Sequence, residues 1–356
     1  MNDVVLSIII PVYNVENYIR RCLDSIFNQK SSIRFEVLLI NDGSTDSSGE
    51  ICDEYQLKYS NVFVTHTENR GVSKARNLGM SLSRGDMLYF VDPDDYLSNE
   101  FFSKVSQYVL KDWEVLCFGY YEVKERRGEI LSCRNHRYLQ IGETKKEEFV
   151  NRFVELFRTD MMYNVWSRIY RRDFVMRNGI DFPDRKIGED TFFNFQVYKH
   201  VKQVDFIDSE LYYYVSRRSG SALTSFNPDR VKLQLEELVE LEELLGQFGL
   251  SDEKLLLEIK EKIVVSSAFQ IANSEAMNES KIELLSRLVQ NHQFNEVFFE
   301  NKNHLIGTYW ELLVQRNLSL LLRRITIDLL SRKRYRCVLF VEKMKMNSLL
   351  RKIAFK

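Results

Sequence analysis

The chain has 356 residues, of which 44% are hydrophobic and 28% are charged, as in ordinary globular proteins. This length predicts two or three domains, and the composition excludes a disordered, collagen-like or coiled-coil chain. The net charge of −1 argues against a basic protein that coats nucleic acid. The five cysteines are far apart, so neither a disulfide framework nor a zinc site is expected.

Neither a secretion signal nor a membrane-spanning helix is predicted. The apolar run at residues 4–12 is short and has no positively charged leader before it. No stretch reaches the roughly 18 apolar residues that a membrane-spanning helix needs. Together with the unpaired cysteines, these features predict a protein of the cytoplasm.

The first 95 residues alternate short apolar strands with helical patterns. Strands are predicted over residues 7–12, 35–40, 61–65 and 87–91. Helices are predicted over residues 18–27, 46–59 and 72–82. The strands are branched, apolar runs of the kind that is buried on both faces of a sheet. Repeated strand–helix units predict an α/β fold with a mostly parallel sheet.

A polar cluster follows each of these strands. The clusters are Tyr13-Asn14, Asp42-Gly43-Ser44, Asn69-Arg70 and Asp92-Pro93-Asp94-Asp95. Parallel sheets bind their ligands beyond the carboxyl ends of the strands. The sequence therefore predicts one aspartate-rich site of the size of a nucleotide.

The pattern is mixed beyond residue 100 and becomes helical after Pro228. Strands are predicted over residues 114–123 and 211–215, and helices over residues 145–157, 191–201, 231–245, 252–276 and 281–289. We therefore predict a first domain of residues 1–225 and a helical region of residues 226–356.

Residues 316–356 carry a strong positive charge. They contain twelve Lys or Arg against two acids, Asp328 and Glu342, with Leu, Ile, Phe and Met interleaved. The pattern predicts a basic amphipathic tail that binds an anionic membrane surface. The alternatives are a solvated helix face and a contact with a partner protein or with a second copy, as in a homodimer. Nucleic acid is not an expected partner, because no aromatic-lined motif accompanies the charge.

Four motifs in the first domain occur together and in a fixed order. They are Ser7-Ile-Ile-Ile-Pro11-Val-Tyr-Asn14, Asn41-Asp-Gly-Ser-Thr-Asp46, Asn69-Arg-Gly-Val-Ser-Lys-Ala-Arg-Asn77 and Val91-Asp-Pro-Asp-Asp95. Over residues 5–225 the chain resembles the family 2 glycosyltransferases of bacterial surface-polysaccharide assembly. The resemblance implies a GT-A fold, which is Rossmann-like, and sugar transfer with inversion at the anomeric carbon.

The resemblance also implies a set of donor-binding residues. They are Pro11, Tyr13, Asn14, Asp42, Asn69, Arg76, Asp92, Arg217 and Ser221. Asp42 would accept the imide hydrogen of uracil, a role that suits an acceptor-only carboxylate. Arg76 would lie near the ribose and diphosphate, where a guanidinium can bind phosphate or orient a carboxylate. Asn41 departs from the family, which more often has a second aspartate there, so its role stays open.

Asp92 and Asp94 resemble the DxD element of GT-A enzymes. Their carboxylates would bind Mg²⁺ or Mn²⁺, which prefer oxygen ligands and would bridge the diphosphate oxygens. The metal would stabilise the departing nucleoside diphosphate as a Lewis acid. The alternative is an acidic turn that ends a strand.

Asp190 follows Gly188 and Glu189 at the start of a predicted helix. By resemblance, Asp190 is the base that deprotonates the acceptor hydroxyl, while Glu189 and Trp166 contribute to acceptor binding. The alternatives are ordinary acids in a first helical turn and a tryptophan of the hydrophobic core.

These features together predict an inverting, metal-dependent glycosyltransferase that uses a nucleotide sugar, expected to be a UDP-sugar. The acceptor is expected to be a saccharide at the inner face of the cell membrane. The resemblance to the family and the basic tail imply that this saccharide is linked to a lipid. One alternative is a non-catalytic scaffold that binds nucleotide sugars. The other is a sugar nucleotidyltransferase, which would need a glycine-rich triphosphate loop where this chain has Pro11-Val-Tyr-Asn14.

Overall fold

The computed structural model describes residues 4–126, 129–138, 144–185, 187–217, 227–302 and 318–344. The chain divides into two compact units. One is Met1–Arg218 with Glu243–Phe248, and the other is Ser219–Glu242 with Gly249–Lys356. The predicted domain boundary at residues 225 and 226 lies outside the described residues and stays a prediction.

A ten-stranded sheet forms the centre of the first unit in the described part of the chain. Its strands are β1 (Leu6–Val12), β2 (Phe35–Asp42), β3 (Val62–Thr67), β4 (Met87–Phe90), β5 (Tyr96–Leu97), β6 (Val115–Arg126), β7 (Glu129–His136), β8 (Thr144–Lys145), β9 (Arg168–Arg171) and β10 (Gln203–Arg217). The order is β3-β2-β1-β4-β9-β6-β10-β5, with β7 beside β6 and β8 beside β10.

Helices of the first unit connect these strands. They are α1 (Ile19–Phe27), α2 (Ser48–Lys58), α3 (Val72–Leu82), α4 (Phe101–Val105), α5 (Lys146–Arg158), α6 (Arg172–Arg177) and α7 (Glu189–His200). β3, β2, β1 and β4 run parallel, as predicted, so their carboxyl ends share one edge of the sheet. Beyond β4 the sheet is mixed, because β9 pairs antiparallel with both β4 and β6. The predicted α/β class is confirmed.

α3 packs very closely on β1 at Gly79. A Cβ added at Gly79 would lie 2.4 Å from Cγ2 of Ile9, so the helix can approach the sheet only because glycine has no side chain. Arg76 lies three residues earlier and therefore on the same helix face. The close contact at Gly79 thus also sets how near Arg76 lies to the sheet.

The second unit is helical. Its helices are α8 (Arg230–Gln247), α9 (Glu253–Asn273), α10 (Asn278–Gln290), α11 (Asn295–Lys302), α12 (Leu318–Ser331) and α13 (Tyr335–Met344). The part of α8 after Glu242 belongs to the first unit. Val264, Ala268 and Leu285 are fully buried in its core. Ile327 of α12 and Val338 of α13 join the same core.

The basic tail contributes to this packing in part. Within its described side chains, Leu321, Ile327, Leu330, Val338 and Leu339 are buried, whereas Phe340 is exposed. Binding of this tail to a membrane surface stays a prediction. No helix within the described residues is long and apolar enough to span a membrane.

Candidate active site

The loops after β1 and β2 are tied together by Asn14. Asn14 adopts φ 51°, in the left-handed region that asparagine tolerates better than most residues. Its Oδ1 accepts a hydrogen bond from the backbone N–H of Thr45 at 2.8 Å, and its own N–H donates to Ser44 Oγ. Pro11 is buried within β1, whereas 48% of Tyr13 is exposed beside Asn14. Of the residues predicted here to bind a base, Tyr13 is thus the one with a large exposed side chain.

Asp42 holds the loop that follows β3. Its two carboxylate oxygens accept hydrogen bonds from the backbone N–H groups of Arg70 and Gly71, each at 2.8 Å. The Asp42 side chain is buried, and the neighbouring loop approaches so closely that a Cβ on Gly43 would lie 2.6 Å from Asn69 N. The observed contacts of Asp42 therefore fix the shape of this loop. Its contact with a base stays a prediction.

Arg76 bridges acids from two distant parts of the chain. Its Nη2 donates to Asp92 at 2.9 Å, and its Nη1 donates to Asp190 at 2.7 Å and to Glu189 at 3.1 Å. The Arg76 side chain is 4% exposed, so these charge-assisted bonds are poorly screened by water. The guanidinium also lies over the ring of Phe182. Of its two predicted roles, the structure thus favours orienting carboxylates.

The surroundings of Asp190 bring its pKa close to neutral pH. Burial raises the pKa of Asp190 to about 7, and the negative charges of Glu189 and Asp92 act in the same direction. The Arg76 guanidinium opposes this rise in the pKa. The three surrounding acids in turn raise the pKa of Arg76, which stays charged. Asp190 is therefore a carboxylate whose protonation changes close to physiological pH.

The aspartates after β4 differ in their surroundings. Asp95 is buried, and its oxygens accept hydrogen bonds from Tyr212 OH at 2.8 Å and from the backbone N–H of Val215 at 2.7 Å. Burial and the nearby charges of Asp94 and Asp92 raise the pKa of Asp95 well above its usual value. Asp95 therefore anchors this turn to β10, while Asp92 and Asp94 stay partly exposed.

The donor set at this turn is small. Across the described residues, no three His, Cys, Asp or Glu side chains gather in an arrangement that could hold a metal ion. Mg²⁺ in nucleotide enzymes commonly takes one or two carboxylates and completes its shell with phosphate oxygens and water. Asp92 and Asp94 fit that kind of site.

Trp166 lies in an aromatic cluster. Its ring stacks on Tyr212 at 4.6 Å and on Tyr214 at 5.3 Å between centroids, and it meets the ring of Tyr120 edge-on. Only 7% of Trp166 is exposed, which favours the core alternative over a surface that stacks on a sugar. Its role in acceptor binding stays a prediction.

The predicted phosphate clamp cannot be placed. Ser221 lies outside the described residues. Arg217 is the last residue of β10, and its side chain is also outside the described part. Asn69 lies exposed in the loop held by Asp42, at the same edge of the sheet.

Sequence reasoning missed three side chains around this site. All three are buried: Tyr212 donates a hydrogen bond to Asp95, Arg168 donates to the carbonyl of Met161, and Asn194 donates to the carbonyl of Asn164. Arg168 follows Trp166 by two residues, and Asn194 follows Asp190 by one helical turn. Neither spacing distinguishes a buried side chain from one that faces water.

Comparison with known proteins agrees with this architecture. The structure of S. aureus TarS residues 1–349 with UDP-GlcNAc matches with a TM-score of 0.54 and 20% identity, over 95% of this chain and 90% of that TarS fragment. The protein thus has the GT-A fold, as predicted. The model of glycosyl transferase family 2 matches residues 7–178. Through this segment the chain belongs to glycosyl transferase family 2, which confirms the resemblance.

Two curated relatives extend the comparison. Glycosyltransferase GlyA of Streptococcus pneumoniae is 30% identical over 295 residues, which cover 80% of this chain and 41% of GlyA. The uncharacterized glycosyltransferase EpsJ of Bacillus subtilis is 32% identical over 223 residues, or 62% of each chain. The chain therefore spans less than two thirds of the length of these relatives.

Proposed function

We propose that this protein transfers a sugar from a nucleotide-sugar donor to an acceptor hydroxyl, with inversion at the anomeric carbon. The observation that carries this proposal is the contact of Arg76 with Asp92, Glu189 and Asp190 at the carboxyl edge of the sheet. The names of GlyA and EpsJ support glycosyl transfer. The UDP-GlcNAc held by TarS supports a UDP-sugar as donor.

Asp190 is the proposed base. It takes the proton of the acceptor hydroxyl while that oxygen attacks the anomeric carbon from the side opposite the leaving diphosphate. A pKa of about 7 suits this task, because about half of the carboxyl group is then ionised at neutral pH and the carboxylate is basic enough to accept a proton. Arg76 holds the carboxylate in place through a charge-assisted hydrogen bond.

Asp92 and Asp94 are the residues proposed to hold Mg²⁺ or Mn²⁺. When bound, such an ion supplies Lewis-acid stabilisation to the departing diphosphate. Asp92 also accepts a hydrogen bond from Arg76, so the proposed metal-binding turn and the base share one guanidinium. The remaining donor contacts are assigned to Pro11, Tyr13, Asn14, Asp42, Asn69, Arg217 and Ser221. Glu189 and Trp166 are assigned to the acceptor side.

The acceptor is proposed to be a saccharide of surface-polysaccharide assembly, lipid-linked and reached at the inner face of the cell membrane. The basic side chains of residues 316–356 support contact with an anionic surface. Binding to vesicles of phosphatidylglycerol against phosphatidylcholine tests this location. Equal binding to both vesicle types contradicts it.

The test of the activity is a donor screen with purified protein. UDP-, GDP-, dTDP- and CDP-sugars are each titrated by calorimetry and assayed for nucleotide release, with Mn²⁺ and with chelator. We expect one UDP-sugar to bind in a metal-dependent manner and to be hydrolysed slowly. The absence of binding by every nucleotide sugar contradicts the proposal.

Asp190→Asn separates an enzyme from a scaffold. A missing general base lowers turnover by about 10²–10⁴-fold, while the donor should still bind. The matched control is Asp173→Asn, which changes an exposed acid in the first turn of α6 and should leave turnover unchanged. A scaffold would have no turnover to lose. A nucleotidyltransferase would instead make UDP-sugar from UTP and a sugar phosphate.

A further inference from the structure

Asn41 is buried near the end of β2 and uses both ends of its side-chain amide. Its Oδ1 accepts a hydrogen bond from the backbone N–H of Ser44 at 3.1 Å. Its Nδ2 lies 2.8 Å from Nδ1 of His66, which is its partner residue on the neighbouring strand β3. The surroundings are tight, because a Cβ on Gly49 would lie 2.9 Å from Asn41 Nδ2. Asn41 therefore joins β3 to the loop that follows β2.

The contacts of His66 agree with one position of its ring proton. The N–H of Ser44 needs an oxygen, so the amide nitrogen of Asn41 faces His66. An amide nitrogen only donates, so Nδ1 of His66 is the acceptor in this contact. The proton of the neutral ring then lies on Nε2, which is 3.0 Å from Oδ1 of Asp53 on α2. The neutral ring of His66 thus fixes the orientation of the Asn41 amide.

Ser44 connects Asn41 to the loop that follows β1. Its Oγ accepts the backbone N–H of Asn14 at 3.1 Å, and the next residue, Thr45, donates its N–H to Asn14 Oδ1 at 2.8 Å. Asn14 has a left-handed backbone, which a residue other than glycine keeps only where its surroundings hold it. Tyr13 directly precedes Asn14, so the direction of its half-exposed ring depends on these bonds.

We propose that Asn41 and His66 are positioning residues for the nucleotide base, acting through Ser44 on the loop of Tyr13 and Asn14. This inference rests on the proposed donor site, which assigns the base to that loop. Neither Asn41 nor His66 needs to touch the nucleotide. Their effect is to keep the loop after β1 in the shape that the base contacts.

This arrangement depends on the charge of His66. A histidine with two ring protons donates from both nitrogens, so Nδ1–H would face the amide N–H of Asn41. The amide could turn over only by giving up its bond to Ser44. Among the described residues, Asp53 of α2 is the charged group that contacts the ring, and it favours the cationic form. Base binding should therefore weaken as the pH falls through the range of histidine titration, about pH 8 to 5.

The test compares Asn41→Asp with Asn61→Asp. The first variant keeps one oxygen for Ser44 and places the other against Nδ1 of His66, where a neutral ring repels it and a cationic ring donates to it. The second variant makes the same exchange opposite the carbonyl of Phe35 at the amino end of β3, away from the site. UDP is titrated into each variant by calorimetry with Mn²⁺, at both ends of the pH range.

The expected result is a difference that disappears with acid. At the alkaline end, Asn41→Asp should bind UDP about fivefold more weakly than Asn61→Asp, the effect of one lost hydrogen bond. At the acid end, Asn41→Asp should bind at least as tightly as Asn61→Asp, because the cationic ring then suits an oxygen. The titrations of UDP and of Asp190 are common to both variants and cancel in this comparison.

His66→Leu is the second variant, for the case that Asn41→Asp does not fold. It removes the acceptor of the Asn41 amide without adding a charge. It should bind UDP about threefold more weakly than Asn61→Asp at the alkaline end and equally at the acid end. Nitrogen NMR of the ring tests the geometry directly. Between two carboxylates, His66 of Asn41→Asp should keep its second proton to a higher pH than His66 of Asn61→Asp.

The outcomes are distinct. UDP binding by the wild type, with equal affinities in Asn41→Asp and Asn61→Asp at both ends of the range, overturns this inference and leaves the proposed function standing. A loss of affinity in Asn41→Asp that is the same at both ends also overturns it, because the charge of His66 then has no effect. A wild type that binds no nucleotide removes the proposed function and this role with it.

Discussion

The end of β2 and the first turn of α7 each place an aspartate at the same edge of the sheet, with different hydrogen-bond partners. Asp42 accepts two backbone N–H groups and holds a loop. Asp190 faces a guanidinium and two further acids, and burial raises its pKa to about 7. The comparison shows that the surroundings of an aspartate decide whether it holds a loop or has a pKa near neutral pH. The backbone partners of Asp42 make its carboxylate a structural element, whereas burial among other charged groups brings the pKa of Asp190 close to neutral pH.

The largest expected effect comes from removing the cation beside Asp190. Arg76→Gln leaves three carboxylates without their shared partner and should destabilise the protein by about 3–5 kcal/mol at pH 8. Without the guanidinium the pKa of Asp190 rises further, so the folded protein binds protons that the unfolded chain releases. The stability that the variant loses relative to the wild type is therefore smallest below about pH 7, where Asp190 is protonated in both proteins, and grows as the pH rises towards the higher pKa of the variant.

Urea unfolding at several pH values measures this effect. Arg177→Gln is the control, because Arg177 is exposed and its ion pairs should contribute less than about 1 kcal/mol. A stability loss in Arg76→Gln that does not depend on pH would show that Arg76 acts by packing alone.

Asp42→Ala tests the other side of the comparison. It leaves the backbone N–H groups of Arg70 and Gly71 without an acceptor and should cost about 2–3 kcal/mol in the free energy of unfolding. Asp42→Asn keeps one acceptor oxygen and should cost about half as much. Unchanged stability in Asp42→Ala, with nucleotide affinity lost, would mean that Asp42 serves the base and not the loop.

The pH dependence of kcat tests the adjustable carboxylate. Asp190 acts as a base only when ionised, so kcat should fall about tenfold for each pH unit below about 7. Glu189→Gln removes a negative charge that raises the pKa of Asp190, so its acid limb should move to lower pH. A shift of that limb to higher pH contradicts the assigned electrostatics.

The smallest effect is expected at Tyr13. Because this ring is half exposed at the loop after β1, Tyr13→Ala should change stability by less than about 0.5 kcal/mol. Donor affinity should weaken about fivefold through lost stacking on the base. Tyr13→Phe keeps the ring and should bind as the wild type does in the same calorimetric titration. Equal binding by Tyr13→Ala removes Tyr13 from the donor site.

Much of the fold was predictable because its signals are local. β1, β2, β3 and β4 are short apolar runs followed by turn residues, and α3 was predicted at its observed bounds, Val72–Leu82. β9 was missed because it has only four residues and begins and ends with arginine, a pattern typical of a surface turn. The length of β10 was missed because acids interrupt its apolar pattern.

The site was predictable as a set of residues but not as a set of contacts. Arg76 and Asp190 were found through separate motifs, yet they are 114 residues apart, and nothing local indicates that one binds the other. Arg168 and Asn194 were missed for a related reason. A polar residue that packs against backbone carbonyls has the same local pattern as one that faces water, and only tertiary structure separates them.

Gly79 illustrates how far the requirements of such a site extend. It has no side chain and makes no contact with the acids, but a single added methyl group would collide with Ile9 and push α3 away from the sheet. Arg76 would move with the helix and lose its reach. In a saturation mutagenesis screen scored by activity, substitutions at Gly79 should therefore be as damaging as substitutions of the charged residues of the site. Such a screen alone would suggest a catalytic role for a residue that is needed only for close packing.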